Sequence, residues 1–336
     1  MILGENIGSV FSDGVEVQRV FSHGKLVWER RGEDIDYTTI PFTIRAIDNE
    51  VSVEITQAFK YSINGGSWIQ NTGETPIIIN KKDRISIVAR DVNSCYISGL
   101  SDVYGNIMSL LYGDDFIGQD SWVSYYTAGF FEDSDIRNAR NLILPATTLT
   151  EGCYASMFKR CSSLKSAPKL PATIMVERCY YSMFLGCSSL ISAPELPSIT
   201  LAEYCYGLMF NQCSSLKSAP ELPATKLAEY CYYGMFRECN GLTSAPELPA
   251  GVLVKGCYVK MFDDCSSLSY IKCYAYTNKY PDQNPVITPP PAASDCVRDW
   301  TYGVSPTGKF VCINNWFVNG YLLDYIPSTW TVEYFT

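Results

Sequence analysis

The residues with the greatest chemical potential are ten cysteines in the middle of the chain. Cys153, Cys179, Cys205, Cys231 and Cys257 follow one another at 26-residue steps, and Cys161, Cys187, Cys213, Cys239 and Cys265 keep the same step eight residues later. A zinc site brings ligands together at two-to-four-residue steps and often adds histidine. Spacings of 8 and 26 do not match that pattern, and the chain has one His. Disulfides fit no better. If 153–161 is helical, its ends stand about 12 Å apart, whereas bridged cysteines have Cα atoms within roughly 7 Å. Pairing between neighbouring repeats would leave one of five over in each column. The role left is that of a small buried hydrophobe, so both columns are expected to be reduced structural thiols, with no metal and no cofactor.

Other reactive residues give weaker signals. His23 precedes Gly24 in a turn-like segment and has no Ser, Asp or Cys neighbour that would build a triad. Asp114-Asp115 and Asp263-Asp264 lack the alternating oxygen-ligand spacing of a calcium loop and read as solvated loop acids. A glycan hydrolase needs two acids about 5–9.5 Å apart in a cleft, and no pair is nominated. No catalytic residue is therefore expected. Tyr is abundant at 24, a bias common in surfaces that recognise partners by aromatic contact. A net charge of −9 argues against a nucleic-acid partner. No window of about 18 apolar residues suggests a membrane span, and the acidic start MILGENIGSVFSDG is not expected to act as a Sec signal.

The cysteines belong to a larger periodic unit. Tyr154, Tyr180, Tyr206, Tyr232 and Tyr258 form a third column, Met-Phe pairs beginning at Met157, Met183, Met209, Met235 and Met261 a fourth, and Leu164, Leu190, Leu216, Leu242 and Leu268 a fifth. Ala-Pro-x-Leu-Pro recurs at Ala167–Pro171, Ala193–Pro197, Ala219–Pro223 and Ala245–Pro249. Leu149, Cys153, Met157 and Cys161 fall at steps of four with Tyr154 and Phe158 beside them, which predicts an apolar stripe on a short helix. The Cys-Ser-Ser-Leu-x-Ser-Ala segment after it predicts a short strand, and the prolines cannot continue a helix or an interior ladder. Each coil thus reads helix, strand, proline-rich return. No coil can bury its apolar face alone, so the coils must stack about 4.8 Å apart, with Leu144-Pro145 fitting one degraded terminal repeat. Between the fixed columns sit Lys165, Ile191, Lys217, Thr243 and Ser269. These vary on the expected outer strand face, where curved repeat arrays usually carry recognition.

The run Cys-Tyr-x-x-Met-Phe-x-x-Cys-Ser-Ser-Leu-x-Ser-Ala-Pro-x-Leu-Pro resembles the BspA-like leucine-rich repeats of gut Bacteroides surface proteins and their phages. Downstream, Tyr270–Cys273, Ala293–Cys296 with Trp300, Gly308–Val311 and Ile326–Val332 resemble the C-terminal module that often closes such arrays, apart from an insertion around Tyr274 to Pro291. Near the front, the alternation through Val15–Phe21 and Lys25–Trp28 predicts a hairpin. Val17, Val20, Gly24, Val27 and Trp28 resemble a short module of phage structural proteins from the same bacterial group. Strand-like runs at Thr43–Ile47, Pro76–Ile79 and Ile85–Val88, with an Asn64-Gly65-Gly66 turn, predict a small β-sandwich.

The expected organisation is a multidomain β-rich front followed by an α/β leucine-rich-repeat solenoid of 26-residue coils. Its parts are a hairpin attachment module over 1–32, the sandwich over 33–98, a cap with a degenerate repeat over 99–143, the solenoid over 144–272 and a C-terminal cap over 273–336. The resemblance implies a noncatalytic recognition or adhesion protein. In this reading it is a phage tail or virion-surface protein whose solenoid binds a host-surface glycan or protein, while residues 1–30 contact other virion proteins. A secreted or cell-surface bacterial adhesin of the BspA type is the alternative, and a glycan-active enzyme the second alternative. The location would be the virion, on tail or capsid, or the bacterial cell surface.

Overall fold

The computed structural model describes residues 35–121, 129–275, 293–313 and 322–335, and, nearer the N-terminus, the backbone of four short strands. Strand β1 (Phe11–Ser12) pairs antiparallel with β2 (Val15–Glu16), and β3 (Arg19–Ser22) with β4 (Lys25–Glu29). In the second pair Ser22 faces Lys25 and a register shift after Val20 sets Trp28 opposite it. His23 lies outside the described residues.

Two sheets follow. Strands β5 (Thr43–Ala46), β7 (Phe59–Ile63), β8 (Ile69–Asn71), β10 (Arg84–Ala89), β12 (Ser101–Asn106) and β13 (Ile136–Ile143) form one sheet in the order β13-β12-β5-β10-β7-β8. Strands β6 (Val51–Glu54), β9 (Ile77–Ile79) and β11 (Tyr96–Ser98) form the other, in the order β11-β6-β9. Period-2 alternation is why they pack: Val51 and Val53 are buried on β6 and Ile85 and Ile87 on β10, and all belong to one apolar cluster. The β7–β8 turn holds Asn64 at φ 53° and Gly65 at φ 74°, the positive values that a two-residue hairpin turn of the right twist demands. Buried Asp102 on β12 accepts from Arg45 on β5 and Arg137 on β13, so one carboxylate ties three adjacent strands.

Strand β13 runs parallel to β12 and carries the sheet into the repeats, through parallel bridges from Asn138 to Ser166, Ser166 to Ser192 and Ser192 to Ser218. At the far end β14 (Tyr270–Cys273), β15 (Lys309–Ile313) and β16 (Thr331–Phe335) make a parallel three-stranded sheet, and Ser244 bridges to Tyr270.

The repeat region corrects the sequence reading. The expected α/β leucine-rich-repeat solenoid is not what the chain adopts. Among the described residues the one α-helix is α1 (Ala293–Val297), outside the coils, and within 144–269 the strand component is reduced to single bridges. Where a helix was expected, each coil makes consecutive tight turns. Every fourth residue is in the left-handed region: Gly152, Ser156 and Arg160, then Arg178, Ser182 and Gly186, then Tyr204, Leu208 and Gln212, then Tyr230, Gly234 and Glu238, then Gly256, Lys260 and Asp264, with φ between 52° and 77°. A right-handed helix cannot contain such residues.

Hydrogen bonding explains why the chain accepts this strain. In the first coil the N–H groups of Ala155, Met157, Lys159 and Cys161 donate three residues back, to Gly152, Tyr154, Ser156 and Phe158. The alternate N–H groups of Tyr154, Ser156, Phe158 and Arg160 donate across to Cys179, Tyr181, Met183 and Leu185 of the next coil, at 2.7–2.9 Å. The same alternation recurs through the following coils, so these buried backbone donors are satisfied without a helix. The ladder is continuous at both ends: Gly129, Phe131 and Asp133 donate to Ala155, Met157 and Lys159, while Tyr258, Lys260 and Phe262 donate to Cys296, Arg298 and Trp300. Residues 295–302 therefore occupy the next tier despite the longer connection before them.

The fixed side-chain columns fill the interior of this ladder. Tyr154, Tyr180, Tyr206, Tyr232, Tyr258 and Trp300 stack with centroids 5.6–6.1 Å apart. Phe131, Phe158, Phe184, Phe210, Phe236 and Phe262 stack at 5.4–5.9 Å. Burial of each Phe or Met contributes roughly 1.5–3 kcal/mol. All fourteen cysteines are buried thiols. The second column does more than fill space: Sγ of Cys161, Cys187, Cys213, Cys239 and Cys265 donates to the carbonyl of Phe131, Phe158, Phe184, Phe210 and Phe236 at 2.9–3.2 Å. From Phe158 on, these carbonyls also accept the N–H that closes their own turn, so both lone pairs are used.

Candidate recognition surface

The variable positions come together as a row. In every coil Leu164, Leu190, Leu216, Leu242 or Leu268 is fully buried, and the next residue points the opposite way. Lys165, Ile191, Lys217 and Thr243 are exposed and Ser269 is half-buried. Backbone bonds hold them in register: Lys165 N–H donates to Arg137 O at 2.8 Å, Lys217 to Ile191 at 3.2 Å and Ser269 to Thr243 at 3.0 Å. Lys309 N–H donates to Ser269 O at 2.8 Å, so Arg137 and Lys309 extend the row. Sequence reasoning missed both because they lie outside the 26-residue register. Their side chains are tied down, Arg137 to Asp102 and Lys309 to Glu333. The arrangement is a row of outward side chains, one per coil, with cations at Lys165 and Lys217 and an apolar Ile191 between them.

Four residues further along the same coils the prolines shape a groove. Pro220, Glu221 and Pro223 of one coil and Pro246, Glu247 and Pro249 of the next line an open depression of ≈ 380 Å³. Glu247 accepts from Lys272 Nζ at 2.8 Å and Tyr274 Oη at 3.2 Å, and the Lys272 ammonium holds its carboxyl below the ordinary range. The repeated Ala-Pro-x-Leu-Pro was legible as a return segment; that two such returns enclose a groove depends on the stacking and was not.

Three of the candidate acids are tied up in ion pairs. Asp114 pairs with Lys60 and Asp115 with Arg90, each at 2.6 Å. Buried Asp263 pairs with Arg237 at 2.9 Å, and loss of water raises its carboxyl pKa. Among the described residues there is no group of three or more His, Cys, Asp or Glu side chains placed to hold a metal ion. Nor, among them, is any helix long and apolar enough to cross a membrane. The thiols of both columns are lifted by burial, Cys153, Cys205 and Cys265 to about 12, which makes them poor nucleophiles. No family model matches the chain, and no curated protein and no solved structure matches it.

Proposed function

We propose that the chain is a noncatalytic recognition and adhesion protein that binds a host-surface glycan or protein through the outer face of its stacked coils. The observation that carries this reading is the row Lys165, Ile191, Lys217, Thr243 and Ser269, one outward residue per coil on a backbone whose core columns are invariant. Such a row can change its recognition chemistry without touching the packing beneath it. Asp114, Asp115 and Asp263 are each held by a cation. The resemblance of the repeat to BspA-like sequences, and of residues 1–30 to phage structural modules, supports a phage tail or virion-surface location, with the front strands as the attachment end. A bacterial cell-surface adhesin is the alternative reading.

The test is to incubate the full chain with immobilised gut-bacterial polysaccharides, peptides and esters, with and without divalent ions. Saturable retention on at least one surface with no product released is the expected result. Turnover that disappears when a single acidic pair is changed would overturn the reading.

A further inference from the structure

One surface cluster is not required by the regular pattern. Tyr181, Tyr204, Tyr230 and Tyr233 are half-buried, on the outer side of the turn ladder and separate from the fully buried tyrosine column. At the position of Tyr204 and Tyr230 the other coils carry Gly152, Arg178 and Gly256, and at that of Tyr181 and Tyr233 they carry Ala155, Gly207 and Val259. The four rings nevertheless form one packed group. Tyr204 and Tyr230 stack at 4.7 Å with planes 1° apart. Tyr233 stands edge-on to both at 6.3 Å, and Tyr181 edge-on to Tyr204 at 6.1 Å.

Two glycines seat the rings. A Cβ on Gly256 would lie 2.1 Å from the Tyr230 ring, and one on Gly207 would lie 3.0 Å from the Tyr181 ring. The ends of the stack are closed by cations, with the Arg178 guanidinium 5.4 Å from the Tyr204 ring centroid and the Lys255 ammonium 5.7 Å from that of Tyr230. Immediately before the Tyr204 and Tyr230 positions runs an acidic column, Glu151, Glu177, Glu203 and Glu229, and Arg178 pairs with Glu177 at 2.7 Å.

Resting on the recognition reading, we propose that these four tyrosines are a platform for a neutral sugar unit of a surface polysaccharide, with Glu203 and Glu229 as acceptors for its hydroxyls. Size argues for a sugar. The cluster spans about two coil spacings, roughly 10 Å and the length of about two pyranose rings, far short of the ~800 Å² per side that a stable protein partner needs. Charge selects a neutral one. Glu151, Glu177, Glu203 and Glu229 outnumber Arg178 and Lys255 around the rings, and Arg178 is already paired with Glu177, a balance that opposes uronate or sialate, whereas the exposed carboxylates of Glu203 and Glu229 accept sugar hydroxyls well. Tyrosine supplies an apolar ring beside a hydroxyl with little side-chain entropy to lose.

The test is calorimetric titration of the full chain with neutral gluco-, galacto- and manno-hexaoses and with a uronate hexamer. Two variants are compared: Tyr204→Gly with Tyr230→Gly, which matches the residue at Gly152 and Gly256, and Tyr181→Ala with Tyr233→Ala, which matches Ala155. At least one neutral hexaose should bind, more tightly than the uronate, and each double variant should weaken it by about tenfold or more, while Lys81→Ser, at an exposed site of the front sheets, changes it by less than about twofold. No binding of any neutral hexaose, preference for the uronate, or unchanged affinity in both tyrosine variants would overturn the platform. If the natural chain still attaches to polysaccharide surfaces in those cases, only this assignment fails; if attachment is also absent, the recognition reading fails with it.

Discussion

The thiols decide how the interior responds to its environment. Each second-column sulfur donates to a phenylalanine carbonyl one tier back, so cysteine there is a buried donor and not only a small apolar filler. Removal from water is the main cause of the thiol shifts, lifting Cys153, Cys205, Cys265 and Cys273 from 9.0 to about 12. The folded state therefore keeps protons that the unfolded chain releases. Stability from these groups is intact below about pH 9 and is lost as pH rises toward 12, at up to about 1.36 kcal/mol per pH unit for each fully buried thiol. The urea midpoint is expected to be flat from pH 7 to 8 and to fall steeply above about pH 9; a midpoint that holds to pH 11 would contradict the burial. A thiol-specific label should likewise react with the fourteen cysteines only after unfolding. Burial of both columns was legible in the sequence. The sulfur-to-carbonyl bonds were not, because they join residues about one coil apart.

The turn ladder is where the sequence misled, and the reason is in the spacing. Leu149, Cys153, Met157 and Cys161 keep a step of four, whereas a helix turns about 100° per residue, so its apolar stripe would drift about 40° at each step. Over three steps that is about 120°, enough to carry Cys161 off a face shared with Leu149. A period that stays at four fits a unit of four residues, and Gly152, Gly186, Gly234 and Gly256 all fall on its positive-φ position. Helix and turn ladder predict opposite signs for one substitution. Gln212 has φ 64° and an exposed side chain. Gln212→Gly would cost about 1 kcal/mol in a helix interior, but in the left-handed region it relieves a comparable strain. The thermal midpoint should stay level or rise, while Gly186→Ala, at φ 77° with its Cβ 3.3 Å from Arg160 Cγ, should lower it. A clear fall for Gln212→Gly would contradict the ladder. The hairpin turn at Asn64-Gly65, by contrast, was legible, since few residues accept its dihedral angles.

In the whole molecule the parts are joined more closely than the sequence suggested. Residues 99–143, expected as a cap with a degenerate repeat, contribute β12 and β13 to the six-stranded sheet, and β13 bridges to the first coil at Ser166. Phe131 stacks on Phe42 of the front and on Phe158 of the first coil, so one aromatic column crosses the junction. Parallel pairing between strands some thirty residues apart leaves no local mark on either strand, whereas the repeat register is written in every column. That continuous ladder gives the row of variable residues its fixed geometry, and the row is the centre of the functional account. Attachment of the full chain to immobilised bacterial-surface polysaccharides should be compared with that of a variant carrying Lys165→Ser, Ile191→Ser, Lys217→Ser and Thr243→Ala, substitutions at exposed sites that should each shift stability by less than about 0.5 kcal/mol. The account predicts saturable attachment of the natural chain and a loss of about tenfold or more in the equally stable variant; equal attachment by both would contradict it.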